Sequence, residues 1–227
     1  MIGIYGIDIE KNNGHIRIPI LLRYVSPGKK HRINAYRDLE EAKRVLVADL
    51  LVRAAACRYL NITNDELRFG TNQFGKPYLE GVQDWHFNTS HSGRWVVCAV
   101  DREPVGIDVE KIEPIEMDIA RVYFSPDELT YIVNLPENKR TAAFYDIWTL
   151  KESFIKALGH GLSMDLKSFT VGVNGKVRSC ESIVPDPVFL RQYEIDQEYR
   201  LSLCAFNDDF PEQVEIVDMK WIIDALA

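Results

Sequence analysis

Apolar residues recur every three or four positions in two long stretches of the chain, and this spacing predicts two amphipathic helices. The first helix is predicted over residues 38 to 60. Its apolar stripe consists of Leu39, Ala42, Leu46, Leu50 and Ala54. The second helix is predicted from about residue 138 to residue 158, where Gly159 would end it. Its stripe consists of Ala143, Ile147, Leu150, Phe154 and Leu158.

Shorter stretches have the character of strands. Residues 1 to 25 are expected to form strands interrupted at KNNG, and residues 67 to 80 to form a hairpin. Buried strands are expected at 94 to 101, at GIDVE (106 to 110) and at 199 to 208. The polar segment FNTSHSG (87 to 93) predicts a loop between them.

Two pairs of similar segments indicate an internal duplication. GIDIEK at residues 6 to 11 is repeated as GIDVEK at 106 to 111, and VVCAVD near the end of the first half resembles LSLCAFND in the second. One long helix lies between the segments in each half. We therefore predict an α+β fold of two similar α/β halves, residues 1–103 and 104–227, and a ligand in the cleft between them if the halves pack face to face.

The second half contains a group of residues suited to cation chemistry. Asp108 and Glu110 share one face of the predicted strand, because alternate side chains of a strand point the same way. Trp148, Glu152 and Lys156 are spaced by four on the predicted helix. By itself, Glu152 with Lys156 could be an ordinary surface pair. Together with the strand carboxylates they favour Mg²⁺, which binds oxygen ligands and leaves positions for phosphates, whereas Zn²⁺ favours His or Cys.

Composition narrows the classes of protein. The chain has 227 residues, 46% of them hydrophobic, and a net charge of −7, which disfavours nonspecific nucleic-acid binding. It contains no long apolar run and no secretion-like N-terminus, so we expect a cytoplasmic protein without a membrane segment. The four cysteines lack metal-ligand spacing and are expected to be free thiols. The basic segment PGKKHR (27 to 32) is either a phosphate site or a solvated loop.

Several motifs in combination resemble one enzyme family. GIDVEKI (106 to 112) and WTLKESFIKALGHGL (148 to 162) resemble the paired signature motifs of the 4'-phosphopantetheinyl transferases. KPYL (76 to 79), FNTSHSGRWVVCAV (87 to 100) and FSPDE (124 to 128) extend the similarity to the monomeric surfactin-synthetase-activating type. The resemblance implies transfer of the phosphopantetheine arm of coenzyme A to a serine of an apo carrier protein, with release of 3',5'-ADP.

The resemblance also implies that the two halves are related by pseudo-twofold symmetry with the active site in the cleft between them, and it implies roles for individual residues. The magnesium ligands would be Asp108, Glu110 and Glu152, with Mn²⁺ as a possible substitute. Glu152 is the first candidate for general base, directly or through a water, and Glu128 is the alternative; Lys156 would stabilise the leaving phosphate. The implied coenzyme A contacts are Lys29, Arg32, Arg44, Lys76, Pro77, Ser90, His91 and Lys156. The first hexapeptide, with Asp8 and Glu10, is expected to be scaffold, because its helix offers no partner like Glu152.

The implied partners are coenzyme A and an acyl or peptidyl carrier protein, and the implied state is a monomer. Carrier docking is expected at residues 112 to 120 and 159 to 182. Two other functions remain open at this point. A metal-dependent phosphohydrolase of coenzyme A or nucleotides could use the same acids, and a noncatalytic module could bind coenzyme A or a carrier and transfer nothing.

Overall fold

The protein mixes helices with small sheets. The computed structural model describes residues 2–159, 161, 164–172, 177–179 and 187–227. Its helices are α1 (Ile18–Leu21), α2 (Pro27–Asn34), α3 (Leu39–Leu60), α4 (Asp118–Tyr123), α5 (Pro126–Val133), α6 (Glu137–Leu158) and α7 (Met219–Leu226). Its strands are β1 (Gly3–Asp8), β2 (Phe69–Thr71), β3 (Pro77–Leu79), β4 (His86–Ser92), β5 (Trp95–Asp101), β6 (Val105–Lys111), β7 (Phe169–Val171), β8 (Val177–Ser179), β9 (Phe189–Tyr193), β10 (Tyr199–Ala205) and β11 (Glu215–Ile216). The predicted α+β class is therefore confirmed.

The first half packs a long helix on a four-stranded sheet, whose edge strand β11 comes from beyond the predicted boundary, near the C-terminal end of the chain. The sheet has the order β11-β1-β5-β4, and β5 is antiparallel to both β1 and β4. Helix α3 buries its apolar stripe against this sheet, so that Leu46 and Leu50 share a core with Ile7 and Cys98. Asp38 caps the helix at its start by accepting a hydrogen bond from the backbone N–H of Glu40. The predicted helix and the hairpin β2–β3 are both present.

The second half repeats this arrangement with a three-stranded sheet of order β6-β10-β9. Helix α6 packs Ile147, Leu150 and Phe154 into a core that includes Cys204 of β10. The helix ends at Gly159, which adopts the left-handed conformation (φ 71°) that glycine tolerates best. The opposite faces of the two sheets meet in a third apolar cluster, where Ile4 and Val97 lie with Ile107 and Leu203.

Three local predictions are wrong. Residues 1 to 25 contain one strand, β1, followed by the short helix α1 and two 3-10 turns. Residues 87 to 93 are mostly strand β4, whose polar side chains face β6 instead of solvent. The basic segment PGKKHR is helical and not a loop, because Ser26 caps α2 and Pro27 occupies its first turn, whereas its other predicted role, a phosphate site, stays a prediction.

The two similar hexapeptides point their side chains in opposite directions relative to the helix of their half. Ile7 faces the α3 core, whereas the matching Ile107 faces the cluster between the sheets. Asp8 is therefore turned away from α3; it accepts hydrogen bonds from the backbone N–H groups of Glu10 and Lys11 and lies 3.4 Å from Nε of Arg94. Glu10 lies in the turn after β1 and is exposed. These contacts agree with a scaffold role for the first copy.

Gly106 opens the second hexapeptide at a point where β6 touches the backbone of α6. A Cβ atom at Gly106 would lie 2.0 Å from the carbonyl oxygen of Ser153 and 2.3 Å from the backbone nitrogen of Ala157. We expect Gly106→Ala to lower the free energy of unfolding by about 1–3 kcal/mol or more, because backbone atoms must move apart. Denaturant unfolding checks this. Gly28→Ala, where a Cβ would meet nothing within 4 Å, is the control and should cause no such loss.

The cysteine prediction holds where it can be checked. Cys57, Cys98 and Cys204 are buried and free, and burial raises the pKa of each thiol. Cys180 lies outside the described residues. Among the helices that the structure describes, none is long and apolar enough to cross a membrane.

Candidate active site

Strand β4 of the first sheet runs beside strand β6 of the second. The two strands are joined there by hydrogen bonds of side chains and not by backbone pairing. Asn88 accepts a hydrogen bond from the backbone N–H of Ile107 (2.9 Å). Ser90 donates to Oδ1 of Asp108 (2.9 Å), and Ser92 donates to Oε2 of Glu110 (2.9 Å). These contacts recur at every second residue of β4, because alternate side chains of a strand point to the same side. We call this row of hydrogen bonds the β4–β6 seam.

The three predicted carboxylates lie together at one end of this seam. Asp108 and Glu110 on β6 and Glu152 on α6 line one cavity of about 430 Å³. The other residues that line it are Thr89, Ser90, His91, Trp148 and Lys156. The strand alternation that puts Asp108 and Glu110 on the α6 side is what brings them to Glu152. The structure thus assembles the acids that were far apart in sequence.

Lys156 is ion-paired at the base of this cavity. Its ammonium lies 2.6 Å from Oδ1 of Asp108 and also donates to the hydroxyl of Ser90 (3.0 Å). It lies one helical turn beyond Glu152, so the same face of α6 carries both groups. The site therefore combines three carboxylates with one cation that is part of the chain.

The negative charges of the three carboxylates are unfavourable, because the groups are at least partly buried and repel one another. Burial, then the neighbouring charge of Asp108, raises the pKa of Glu110 to about 7, although the hydrogen bond from Ser92 acts in the opposite direction. The pKa of Glu152 is raised by the same two causes in the same order. Lys156 lowers both pKa values but does not compensate for three acids. A divalent cation would relieve this repulsion.

One oxygen of the site lacks a partner. Oδ2 of Asp108 is buried and makes no hydrogen bond, and such an atom is costly unless a ligand satisfies it. Oxygen donors of this kind fit Mg²⁺ or Mn²⁺. Within the described residues, no three His, Cys, Asp or Glu side chains are already gathered as a cation cluster. By donor type alone, the carboxylates fit such a cation, whose remaining ligands would be other oxygens.

His91 and Trp148 also line the cavity, and Arg44 lies near His91 without lining it. Burial lowers the pKa of His91; the charge of Glu41 acts in the opposite direction, and those of Arg44 and Lys156 act in the same direction as burial. Arg44 on α3 is held by Glu41 and reaches the carbonyl oxygen of Gly93. Trp148 stacks on Phe144, with ring centroids 5.8 Å apart. The predicted residue His91 therefore lies in the cavity with the acids, whereas Arg44 lies near His91 and is held by Glu41.

A larger basic groove of about 930 Å³ runs from this cavity into the first half, and Thr89 lines both. Its predicted residues are Lys29, Arg32 and Pro77. Three further cations, Arg23, Arg53 and Arg68, were not identified from the sequence. Arg53 is held by Asp49 (2.7 Å), which also pairs with Lys29 (3.2 Å). The sequence indicated no role for Arg53, whose guanidinium lies over the ring of Phe69 of the β2–β3 hairpin, 5.0 Å from the centroid.

Lys76 was predicted to contact coenzyme A, but its ammonium contacts the protein backbone in the structure. Its ammonium donates to the carbonyl oxygens of Val105, Lys156 and Ala157, at 3.1, 2.6 and 3.1 Å. Burial lowers the pKa of Lys76 to about 8. Asn72 of the same hairpin donates to the carbonyl oxygen of Gly159. In the structure described here, the ammonium of Lys76 holds the C-terminal end of α6.

The structure contradicts the role of Glu128 as the alternative general base. Its carboxylate is buried, accepts hydrogen bonds from the backbone N–H groups of Ser125 and Val171, and pairs with Lys151 at 2.9 Å. It does not line the cavity of the acids. A carboxylate with these partners closes the first turn of α5 as a capping box. Glu128 is therefore a structural residue.

Comparison with known proteins agrees with this geometry. A family model described as "4'-phosphopantetheinyl transferase superfamily" matches residues 104–204, and one described as "4'-phosphopantetheinyl transferase, N-terminal" matches residues 16–103. The chain is 38% identical over 225 residues to 4'-phosphopantetheinyl transferase Sfp of Bacillus subtilis (strain 168), covering 97% of this chain and 99% of that protein. It is 34% identical over 221 residues to 4'-phosphopantetheinyl transferase psf-1 of Bacillus pumilus, covering 96% and 94%.

Sequence similarity of this extent, over nearly the whole of both chains, places the protein in the class of transferases. The chain belongs to the 4'-phosphopantetheinyl transferase superfamily, and it is an enzyme of that activity. The resemblance found in the paired motifs is confirmed.

Proposed function

We propose that the protein transfers 4'-phosphopantetheine from coenzyme A to a serine of an apo carrier protein, in a reaction that depends on a divalent cation, Mg²⁺ or Mn²⁺. The observation that carries this proposal is the convergence of Asp108, Glu110, Glu152 and Lys156 in one cavity. That cavity adjoins a groove lined by five cations, Arg23, Lys29, Arg32, Arg53 and Arg68. A divalent cation held by the acids would bind the diphosphate, and the phosphate of a nucleotide in the groove would pair with the cations there.

Coenzyme A would lie with its nucleotide end in the basic groove. Lys29 and Arg32 on α2, with Arg53 and Arg68 opposite, supply charge for the 3'-phosphate. His91 and Arg44 remain proposed contacts at the diphosphate end, where the neutral imidazole can donate a hydrogen bond. Ser90 and Lys76 also remain proposed contacts, although each is hydrogen-bonded within the protein. Pro77 offers an apolar edge of the groove.

The residues of the cavity divide the chemistry among them. Asp108, Glu110 and Glu152 would hold the cation, which when bound neutralises the diphosphate and makes its phosphorus more electrophilic. Glu152, whose pKa is raised by burial, accepts the proton of the carrier serine, directly or through a water, as the serine oxygen bonds to phosphorus. Lys156 stabilises the negative charge on the departing 3',5'-ADP.

Carrier docking is proposed on an apolar surface of α4 and α5 beside the cavity. Its exposed side chains are Ile119, Val122, Tyr123, Tyr131 and Val133. The ring of Tyr123 contacts Trp148 edge-on, with centroids 5.5 Å apart, so the surface reaches the cavity wall. It overlaps the predicted segment 112 to 120 at Ile119. The other predicted segment, 159 to 182, lies partly outside the described residues.

We expect Val122→Asp to raise KM for the carrier about 10-fold or more, because a charge would be buried in an apolar contact. Binding of coenzyme A should stay unchanged. Val122 is 58% exposed, so folding should not suffer. Ile20→Asp is the matched control, since Ile20 is 50% exposed but lies on α1, away from the cavity. Equal effects of both substitutions on KM would contradict this docking surface.

Cation affinity is expected to depend on pH through Glu110. With a pKa of about 7, this carboxyl is protonated below pH 7, and a proton competes with the cation for its oxygens. The apparent affinity for Mn²⁺ should therefore rise as pH increases from 6 to 8. It should level off once Glu110 is ionised. Isothermal titration of the protein with Mn²⁺ at several pH values measures this, and Glu110→Gln should flatten the profile.

The function is tested by incubating the protein with coenzyme A, Mg²⁺ and an apo carrier, and measuring the mass of the carrier. We expect the mass of phosphopantetheine to be added to the carrier serine. Release of 3',5'-ADP at the same rate without carrier would favour the phosphohydrolase, and binding without any turnover would favour the noncatalytic module. A cytoplasmic monomer that serves nonribosomal peptide synthesis completes the proposal, supported by the near full-length similarity to Sfp and psf-1.

A further inference from the structure

Ser92 has two hydrogen bonds that together fix the direction of its hydroxyl. The hydroxyl oxygen accepts from the backbone N–H of Lys111 (3.0 Å) and the hydroxyl hydrogen is directed to Oε2 of Glu110 (2.9 Å). The backbone of Ser92 is held by pairing with Trp95 in the β4–β5 hairpin. The donor is thus set in place by two strands, β4 and β6, before any ligand binds.

Glu110 needs such a donor more than Asp108 does. Asp108 is buried and is held by both Ser90 and Lys156. Glu110 has a longer side chain near the end of β6, and within the described part of the chain Ser92 is its hydrogen-bond partner. Repulsion from Asp108 and Glu152 acts to turn Glu110 out of the cavity. Without Ser92, the carboxylate has no contact of this kind to oppose that repulsion.

We propose that Ser92 is a positioning residue for the cation site, which holds the Glu110 carboxylate in the cavity without itself touching the cation, coenzyme A or the carrier. The inference rests on the proposed function, because it assumes that Glu110 is a cation ligand. Residues that orient a metal ligand by a hydrogen bond typically change metal affinity 10- to 100-fold when they are replaced. Ser92 should therefore contribute to cation affinity through geometry.

The experiment is a titration with Mn²⁺, followed by electron paramagnetic resonance, with and without saturating coenzyme A. We expect Ser92→Ala to weaken Mn²⁺ binding about 10-fold, and Ser92→Thr, which keeps the hydroxyl on a strand-compatible side chain, to restore it. Asn88→Ala is the matched control. It removes another hydrogen bond of the β4–β6 seam, to the N–H of Ile107, without touching an acid.

A double-mutant cycle distinguishes positioning from a general loosening of the seam. If Ser92 acts through Glu110, Ser92→Ala should change Mn²⁺ affinity no further in a Glu110→Ala background. Wild-type affinity in Ser92→Ala, or an equal loss in Asn88→Ala, would overturn the inference. Failure of the wild-type protein itself to bind Mn²⁺ would instead overturn the cation assignment and this inference with it.

Discussion

Glu152→Gln is expected to lower the rate of phosphopantetheine transfer about 10²- to 10⁴-fold, the range typical for loss of a general base. The amide keeps the size of the side chain but neither accepts the serine proton nor carries charge for a cation. Transfer of radiolabelled phosphopantetheine to an apo carrier, measured under single-turnover conditions, gives the rate of the chemical step.

The same substitution should not destabilise the fold. Burial and the charge of Asp108 raise the pKa of Glu152, which means that its charge is unfavourable in the folded protein without a ligand. Removing that charge should leave the melting temperature unchanged or higher, as is common where function requires a strained arrangement of charges. Glu137→Gln, on an exposed first turn of the same helix, is the control and should alter neither quantity. An active Glu152→Gln protein would contradict the assigned role.

Glu128→Gln is expected to lower the free energy of unfolding by about 3–5 kcal/mol, because it leaves the buried charge of Lys151 without its partner. Lys151 is 0% exposed, and its ammonium also donates to the carbonyl oxygens of Leu166 and Phe169. Neither carbonyl carries a full negative charge. Urea denaturation monitored by tryptophan fluorescence gives the value.

This substitution also decides between the two general bases considered from the sequence. Asp127→Asn is the matched control, since Asp127 is the exposed neighbour of Glu128 in the first turn of α5. It should cost less than about 1 kcal/mol, as exposed charges usually do. If Glu128→Gln kept full stability but lost transfer activity, Glu128 would be the base after all, and the structural role assigned to it would be wrong.

The elements predicted best from the sequence are those with a local signal. The stripes beginning at Leu39 and Ala143 gave both long helices, because a period of three or four apolar residues fits one face of a helix. The convergence of Asp108, Glu110 and Glu152 followed from strand alternation and a family motif. Each of these inferences needed only residues that are neighbours in sequence or in a motif.

The features that were missed depend on contacts between distant segments. Strand β4 resembles a loop because Asn88, Ser90 and Ser92 are polar, and only the presence of β6 opposite makes those residues an interior row. Arg53 becomes part of a groove only when the hairpin packs over α3. The two hexapeptides have nearly the same sequence but opposite orientations. Six residues alone do not determine which face of the strand the helix of that half will cover.

The β2–β3 hairpin contacts both parts of the proposed substrate site. The hairpin contributes Gly70 and Pro77 to the groove for the nucleotide, and its Lys76 ammonium grips the last carbonyl groups of the helix that carries Glu152 and Lys156. A ligand that displaced the hairpin by a fraction of an ångström would therefore pull on that helix. Coenzyme A would then help to align the groups that cleave it, and fragments lacking the adenosine end would react slowly even when they bind.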